Sequence, residues 1–255
     1  MWWSLFLSLL LFLPVIGCSR SESASNKQTE SKPPAAPAPI NPETVGTITG
    51  KAEFQGVAPP EVRIRMDAVP YCVSANKGPV YAQEVEVNAN KTLKDVFIYV
   101  KDGLGDRNFP IPSKPVLLEQ KGCWYYPHVL GIMAGQKLDV KNGDQTNHNI
   151  HVLPTDNREW NVSQPPGAAD LIEEFARPEV MIPVKCNVHP WMKAYIGVLR
   201  HPFYAVTGSE GTYTIKGLPP GNYTIEAWQE KYGTKDQKIT LGPKETKTVD
   251  FTFAG

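Results

Sequence analysis

The chain has 255 residues, 41% of them hydrophobic, enough for a real core and for one to three domains. Its 26 basic and 26 acidic residues cancel and form no basic stripe, which argues against a nucleic-acid partner. Val, Ile, Thr and Tyr are common between 24 Pro and 20 Gly, and helix formers are concentrated nowhere after the first segment, so the fold class is all-β.

Residues 1–17, MWWSLFLSLLLFLPVIG, carry no charged side chain, are too short to span a bilayer comfortably and give way at once to polar residues. They read as a secretory signal peptide. Val15-Ile16-Gly17-Cys18 resembles the bacterial lipoprotein cleavage box, although the usual Lys or Arg after Met1 is missing. The resemblance implies that Cys18 becomes the lipidated first residue of the mature protein. It also implies a place in the bacterial cell envelope, lipid-anchored, periplasmic or outer-membrane. An ordinary signal peptide with an incidental Cys18 is the alternative. Residues 18–44 hold Ser, Lys, Glu, Pro and Ala with almost no large apolar residue, so they are expected to form a disordered tether.

Residues 45–116 form an N-terminal β-unit. Gly46–Phe54 alternates, Gln55–Pro60 turns, and Val62–Met66, Val85–Val87 and Leu93–Val100 supply further strands. In an exported, oxidising compartment Cys72 and Cys123 are most simply joined as a disulfide. Closing a loop of roughly 50 residues would contribute about 3–4 kcal/mol in the chain-entropy model. A free thiol or an extra metal ligand is the alternative.

Residues 117–200 carry the chemistry. Tyr126–Asp144 reads as two strands around Ala134-Gly135-Gln136, followed by a polar turn into His148. Ala168–Phe175 admits a short helix, which Arg177-Pro178 would end. A thiolate, an imidazole and a thioether then fall within seven residues, Cys186-Asn187-Val188-His189-Pro190-Trp191-Met192, with a second imidazole upstream in His148-Asn149-Ile150-His151. The two-residue spacings let one tight loop bring Cys186, His189 and Met192 to a single ion, and a His from a neighbouring strand completes a trigonal plane. Two His, one Cys and a weak axial Met suit copper in both oxidation states. A loop with one Cys excludes a binuclear thiolate-bridged copper centre, and a thioether is a poor fourth ligand for zinc.

The same residues resemble the cupredoxins, the small blue-copper proteins, with an amicyanin-like pattern. The resemblance implies a Greek-key sandwich with His148, Cys186 and His189 as equatorial ligands and Met192 as the axial one. Asn149 would tie the two ligand loops together. In this family the exposed edge of the second His is the electron exit, so Pro190 and Trp191 would flank that exit; the alternative is that Trp191 packs into the seam between domains. Asn187 and Val188 depart from the hydroxyl residue and Pro common there. His151, three past His148, is expected on the opposite strand face, and His128 and His201 are expected to be structural.

Residues 201–255 read as hairpins. Gly217-Leu218-Pro219-Pro220-Gly221-Asn222-Tyr223-Thr224 and the closing strand Lys247–Phe253 resemble the carboxypeptidase-regulatory, transthyretin-like β-sandwich family. The fragment is short of its first strands, which Gly46–Phe54 and Leu93–Val100 resemble. Two arrangements follow, a sandwich split by an inserted copper domain or three consecutive β-units.

The expectation is a one-copper electron carrier, not an enzyme, exchanging electrons with redox proteins such as a c-type cytochrome or a dehydrogenase or oxidase. Five His are too few for the extra clusters of a copper oxidase. Copper delivery is one rival. The other is a metal-free carbohydrate or adhesion module in which Trp124, Tyr125, Tyr126 and Trp228 form a sugar platform.

Overall fold

Alternation of apolar and polar side chains runs through residues 39–255, the part of the chain that the computed structural model describes. It resolves there into nineteen strands and one six-residue helix. In chain order these are β1 (Gly46–Gln55), β2 (Arg63–Ile64), α1 (Pro70–Ala75), β3 (Val80–Tyr81), β4 (Phe97–Asp102), β5 (Val116–Lys121), β6 (Trp124–Tyr126), β7 (Val129–Met133), β8 (Lys137–Asn142) and β9 (His148–Val152). They continue as β10 (Trp160–Gln164), β11 (Leu171–Glu174), β12 (Glu179–Lys185), β13 (Lys193–Leu199), β14 (Tyr204–Val206), β15 (Thr212–Leu218), β16 (Gly221–Gln229), β17 (Gly233–Leu241), β18 (Thr246–Thr248) and β19 (Phe251–Ala254). The fold is all-β. The signal segment, Cys18 and most of the tether lie outside the described residues.

Two sandwiches are present. One faces the sheet β10-β9-β12-β13-β7 with the sheet β11-β8-β5-β6 around a core that includes Leu118, Tyr125, Leu138, Ile150, Ile182 and Ile196. The other faces β15-β1-β18, with β19 also on β1, with the sheet β14-β4-β16-β17. Its core includes Ile48, Phe54, Ile98, Ile215, Ile225 and Phe251. Strand β1 explains its own placement, because Ile48, Ala52 and Phe54 point inward at alternate positions. It pairs antiparallel with β15, Ile48 opposite Ile215, while β4 lies between β14 and β16. Residues 45–116 therefore lend their two long strands to the C-terminal sandwich, whose chain is interrupted by the strands of the other sandwich.

The sequence admits a helix at Ala168–Phe175, but the structure forms a strand there. Leu171–Glu174 pairs antiparallel with β8, Leu171 opposite Val140. Ladder bonds and burial of Leu171 against the core outweigh the helical preference of Ala, Leu and Glu.

The sandwiches meet where Phe97, Tyr99, Val129, Met181 and Leu199 pack together. A Cβ on Gly131 would run into the Tyr204 ring, and one on Gly197 into the Phe97 ring, so the seam needs glycine at both places. Gly197→Ala is expected to lower unfolding stability by about 1–3 kcal/mol through overpacking, measured by urea denaturation.

His201 is buried at the start of the return to the second sandwich. Its Nε2 bonds the Val100 carbonyl at 2.9 Å and its Nδ1 accepts from the Phe203 N–H at 3.2 Å, so the neutral ring is the one the fold uses. Burial, reinforced by Arg200, pushes its pKa from 6.5 down to about 4. The unfolded chain then binds the extra proton, and stability is full above pH 6.5 and falls as pH drops toward 4. The loss should reach about 3 kcal/mol. Urea unfolding at about pH 7.5 and about pH 4.5 should show it, and His201→Asn should remove that part of the difference.

Candidate metal centre

Strand β9 begins with His148, directly after a polar turn in which Asn142 Nδ2 donates to the carbonyls of Thr146 and Gln164. Strands β12 and β13 pair antiparallel, with Lys185 opposite Lys193, so Cys186–Met192 is the loop of a hairpin. The Cys186 N–H donates to the Met192 carbonyl (3.1 Å) and the Met192 N–H to the His189 carbonyl (2.9 Å). That closure turns the seven-residue loop inward. Cys186, His189 and Met192 are all buried, as is His148.

Nδ1 of His148 lies 3.0 Å from Nδ1 of His189, and Cys186 Sγ lies 3.9 Å from the same His189 nitrogen. The ligand atoms of the three residues lie within 4.8 Å of one another. The outer nitrogens explain which faces converge. Nε2 of His148 is 2.7 Å from Asp144 Oδ2, which puts a proton on that nitrogen and turns Nδ1 toward His189. Nε2 of His189 faces Cys72 Sγ at 3.6 Å. Met192 belongs to the same core cluster as Cys186.

Asp144 is itself anchored. Its Oδ1 accepts from the Gly122 N–H (2.7 Å) and the Tyr71 hydroxyl (3.0 Å), and its Oδ2 accepts from the Cys123 N–H (2.8 Å). Gly122 and Cys123 both have positive φ, as the two-residue turn joining β5 and β6 requires, so the carboxylate also stabilises an unusual Cys conformation. Asn149 accepts the Asn187 N–H on Oδ1 at 3.0 Å and donates to Asn161 and the Val162 carbonyl, fastening the ligand loop to β9 and β10. The Tyr125 hydroxyl donates to the carbonyl of Asn149 at 2.6 Å and lies 3.2 Å from that of Lys185. It bolts the two ligand-bearing strands together.

The charges follow. Burial opposes ionisation of Cys186, but hydrogen bonds from His148, His189 and the backbone of His189 and Asn149 overcome it and bring the thiol down to about 6. Burial opposes a charged His148, and Asp144 and Cys186 outweigh that and raise it. Asp144 is held below the usual carboxylate range despite burial, by His148 and the N–H groups of Cys123 and Gly122.

Two imidazole nitrogens and the Cys186 sulfur thus face one buried point, where a cation could replace the protons they share. Ligands about 2.0–2.3 Å from one ion stand roughly 3.5 Å apart, and the 3.0 and 3.9 Å separations bracket that spacing. The donor set fits copper, with two nitrogens, one thiolate and a buried thioether next along the loop. Cys72 and Cys123 are bonded to each other, with Cα atoms 5.6 Å apart, and offer no thiolate.

The remaining residues fall around this centre. Pro190 is exposed, while Trp191 is half-buried, its ring 5.2 Å from that of His189 and its Nε1 donating to the Cys123 carbonyl at 3.1 Å. The expected exposed edge of His189 is absent, because α1 and the disulfide cover it. His151 is half-buried beside Glu159 and Asn187. His128 is buried between the Lys193 carbonyl and Glu230. Tyr125 and Trp124 are buried and Trp228 packs on Tyr195, so the four aromatics do not form a sugar platform. Asp144, Tyr71 and Asn76 join the site without having stood out in the sequence, whereas Cys72, between Tyr71 and Asn76, stood out as the partner of Cys123. The one available signal for Asp144 was its place four residues before His148.

Residues 193–254 match the carboxypeptidase regulatory-like domain, a span that takes in β13 through β19. No curated protein matches the chain at a significant level. Among solved structures, the copper-containing nitrite reductase NirK from Thermus scotoductus SA-01 is similar at 21% identity and a TM-score of 0.31, over 38% of this chain and 26% of that one. This chain therefore spans about a quarter of that enzyme's length. A purple cupredoxin from Nitrosopumilus maritimus is similar at 23% identity and a TM-score of 0.26, over 29% of this chain and 81% of that one. A point mutant of amicyanin in the Cu(I) state is similar at 14% identity and a TM-score of 0.30, over 40% of this chain and 97% of that one.

Proposed function

We propose that the chain is a mononuclear type 1 (blue) copper protein that carries single electrons between redox partners at the cell envelope. The observation that carries this reading is the buried convergence of His148 Nδ1, His189 Nδ1 and an acidified Cys186 Sγ. When bound, copper supplies a one-electron couple that this mixed nitrogen and sulfur set tolerates in both oxidation states. Cys186 has its thiol pKa lowered to about 6, His148 is oriented by Asp144, His189 is held by the loop closure, and Met192 would close the set. Every one of these ligands is buried, which supports a carrier over an enzyme acting on a small substrate. The leader sequence and Cys18 support a lipid-anchored location, and the tether would let the domain reach a c-type cytochrome or a dehydrogenase or oxidase.

A potentiometric titration of the copper-loaded protein, followed by its visible band, separates carrying electrons from carrying the metal. Reversible one-electron cycling with copper retained against a chelator is expected. Rapid loss of copper to the chelator on reduction would move the assignment to copper delivery. Glycan binding without copper uptake would move it to a metal-free module.

A further inference from the structure

Between β1 and β4 the chain leaves the C-terminal sandwich and lays residues 64–80 across the copper sandwich. Ile64, Met66, Val69, Tyr71, Cys72 and Val80 pack into that sandwich's core cluster, Met66 and Cys72 buried and the others partly so. The segment is fastened at three kinds of point. The Cys72–Cys123 disulfide bonds it to the β5–β6 turn. Asn76 Nδ2 donates to the Gly122 carbonyl at 2.9 Å and to the Cys72 carbonyl at 2.8 Å. Tyr71 donates to Asp144. Directly beneath lies His189, with no exposed surface and its Nε2 edge 3.6 Å from Cys72 Sγ. Within the loop Cys186–Met192, Trp191 lies against the same ring with centroids 5.2 Å apart, and the segment's Cys72 sulfur lies against the Nε2 edge. Val73 in the covering segment and Val188 beside His189 are exposed, whereas the imidazole is not.

We propose that Cys72 and Cys123 are specificity-determining residues, whose disulfide clamps residues 64–80 as a cover over the Nε2 edge of His189 and keeps small redox reagents away from the metal centre. The proposal rests on the copper reading for its consequence, but the cover itself is a property of the chain. Small reagents that exchange electrons by collision need the ring edge, and the closed segment denies it to them. A protein partner that fits the outer face of α1 meets the centre across the clamped segment, so the device discriminates by size and shape.

The test has a metal-free arm and a copper arm, both on the full chain. In the metal-free arm diethyl pyrocarbonate modifies histidine, and peptide mass spectrometry compares His189 with His151, the one histidine of the five that is not buried. In the intact chain His189 should react at least about tenfold more slowly than His151. In Cys72→Ser/Cys123→Ser the two rates should come within about threefold of each other. Asn76→Ala loosens the same segment with the disulfide in place and should accelerate His189 by about threefold, which keeps the test decisive if the double variant fails to fold. Equal rates in the intact chain, or protection unchanged in the folded variants, would overturn the proposal. In the copper arm, opening the cover should speed oxidation of the reduced protein by ferricyanide about tenfold with the visible band unchanged. An unchanged rate with the band present overturns the cover's role, whereas a chain that never develops the band overturns the copper reading and leaves the cover to the first arm.

Discussion

Cys186→Ser is expected to abolish the visible thiolate-to-copper band while the protein stays folded. The band exists only if a thiolate bonds the metal, and Cys186 is the one free cysteine among the described residues. Serine is close in size, and its hydroxyl can accept the His189 N–H that the sulfur now accepts at 3.4 Å. The stability cost should therefore be about 1 kcal/mol, read from urea unfolding of the metal-free protein. Copper binding should weaken as well, because a neutral hydroxyl replaces a charged soft ligand. A variant that keeps its colour would place the metal elsewhere.

Asp144→Ala is expected to have the largest effect of any change outside the ligands. One carboxylate satisfies the Gly122 and Cys123 N–H groups, the Tyr71 hydroxyl and the His148 ring. Alanine would leave those donors unpaired, two of them on a turn whose positive φ values they help to hold. Loss of a buried charged partner of this kind costs about 3–5 kcal/mol. His148 would also lose the bond that fixes its tautomer, and copper affinity should fall about 10–100-fold, measured by competition with a chelator. The pH dependence has a definite sign. The folded pKa of Asp144 lies below the unfolded one, so its contribution is full above the usual carboxylate range and vanishes as pH falls through the folded value. The metal-free protein should therefore be acid-labile, and Asp144→Ala should be less stable at neutral pH and show less of that lability.

Much of this architecture is legible in residue order. The ligand loop is local, since Cys186, His189 and Met192 lie within seven residues and their spacing alone predicts a common target. Strand alternation shows the all-β class, and the short C-terminal fragment points to partners upstream, which the β1–β15 and β4–β16 pairings supply. What order conceals is long-range. Trp124-Tyr125-Tyr126 looks like a surface aromatic run, yet the turn at Gly122-Cys123 sets the register so that Tyr125 drops between the ligand strands. Asp144 looks like one more polar turn residue until the turn places its two oxygens against four donors. Ala168–Phe175 has helix-forming composition, and only pairing with β8 makes it a strand. The cover over His189 depends on a contact between Cys72 and His189, 117 positions apart, which no local pattern encodes.

Visible absorption together with electron paramagnetic resonance, on the protein after addition of Cu(II), tests the copper assignment most directly. An intense thiolate-to-copper band with narrow copper hyperfine splitting is the expected result, and it should disappear in Cys186→Ser. A colourless protein with ordinary Cu(II) signals, or with no bound copper, would contradict the assignment.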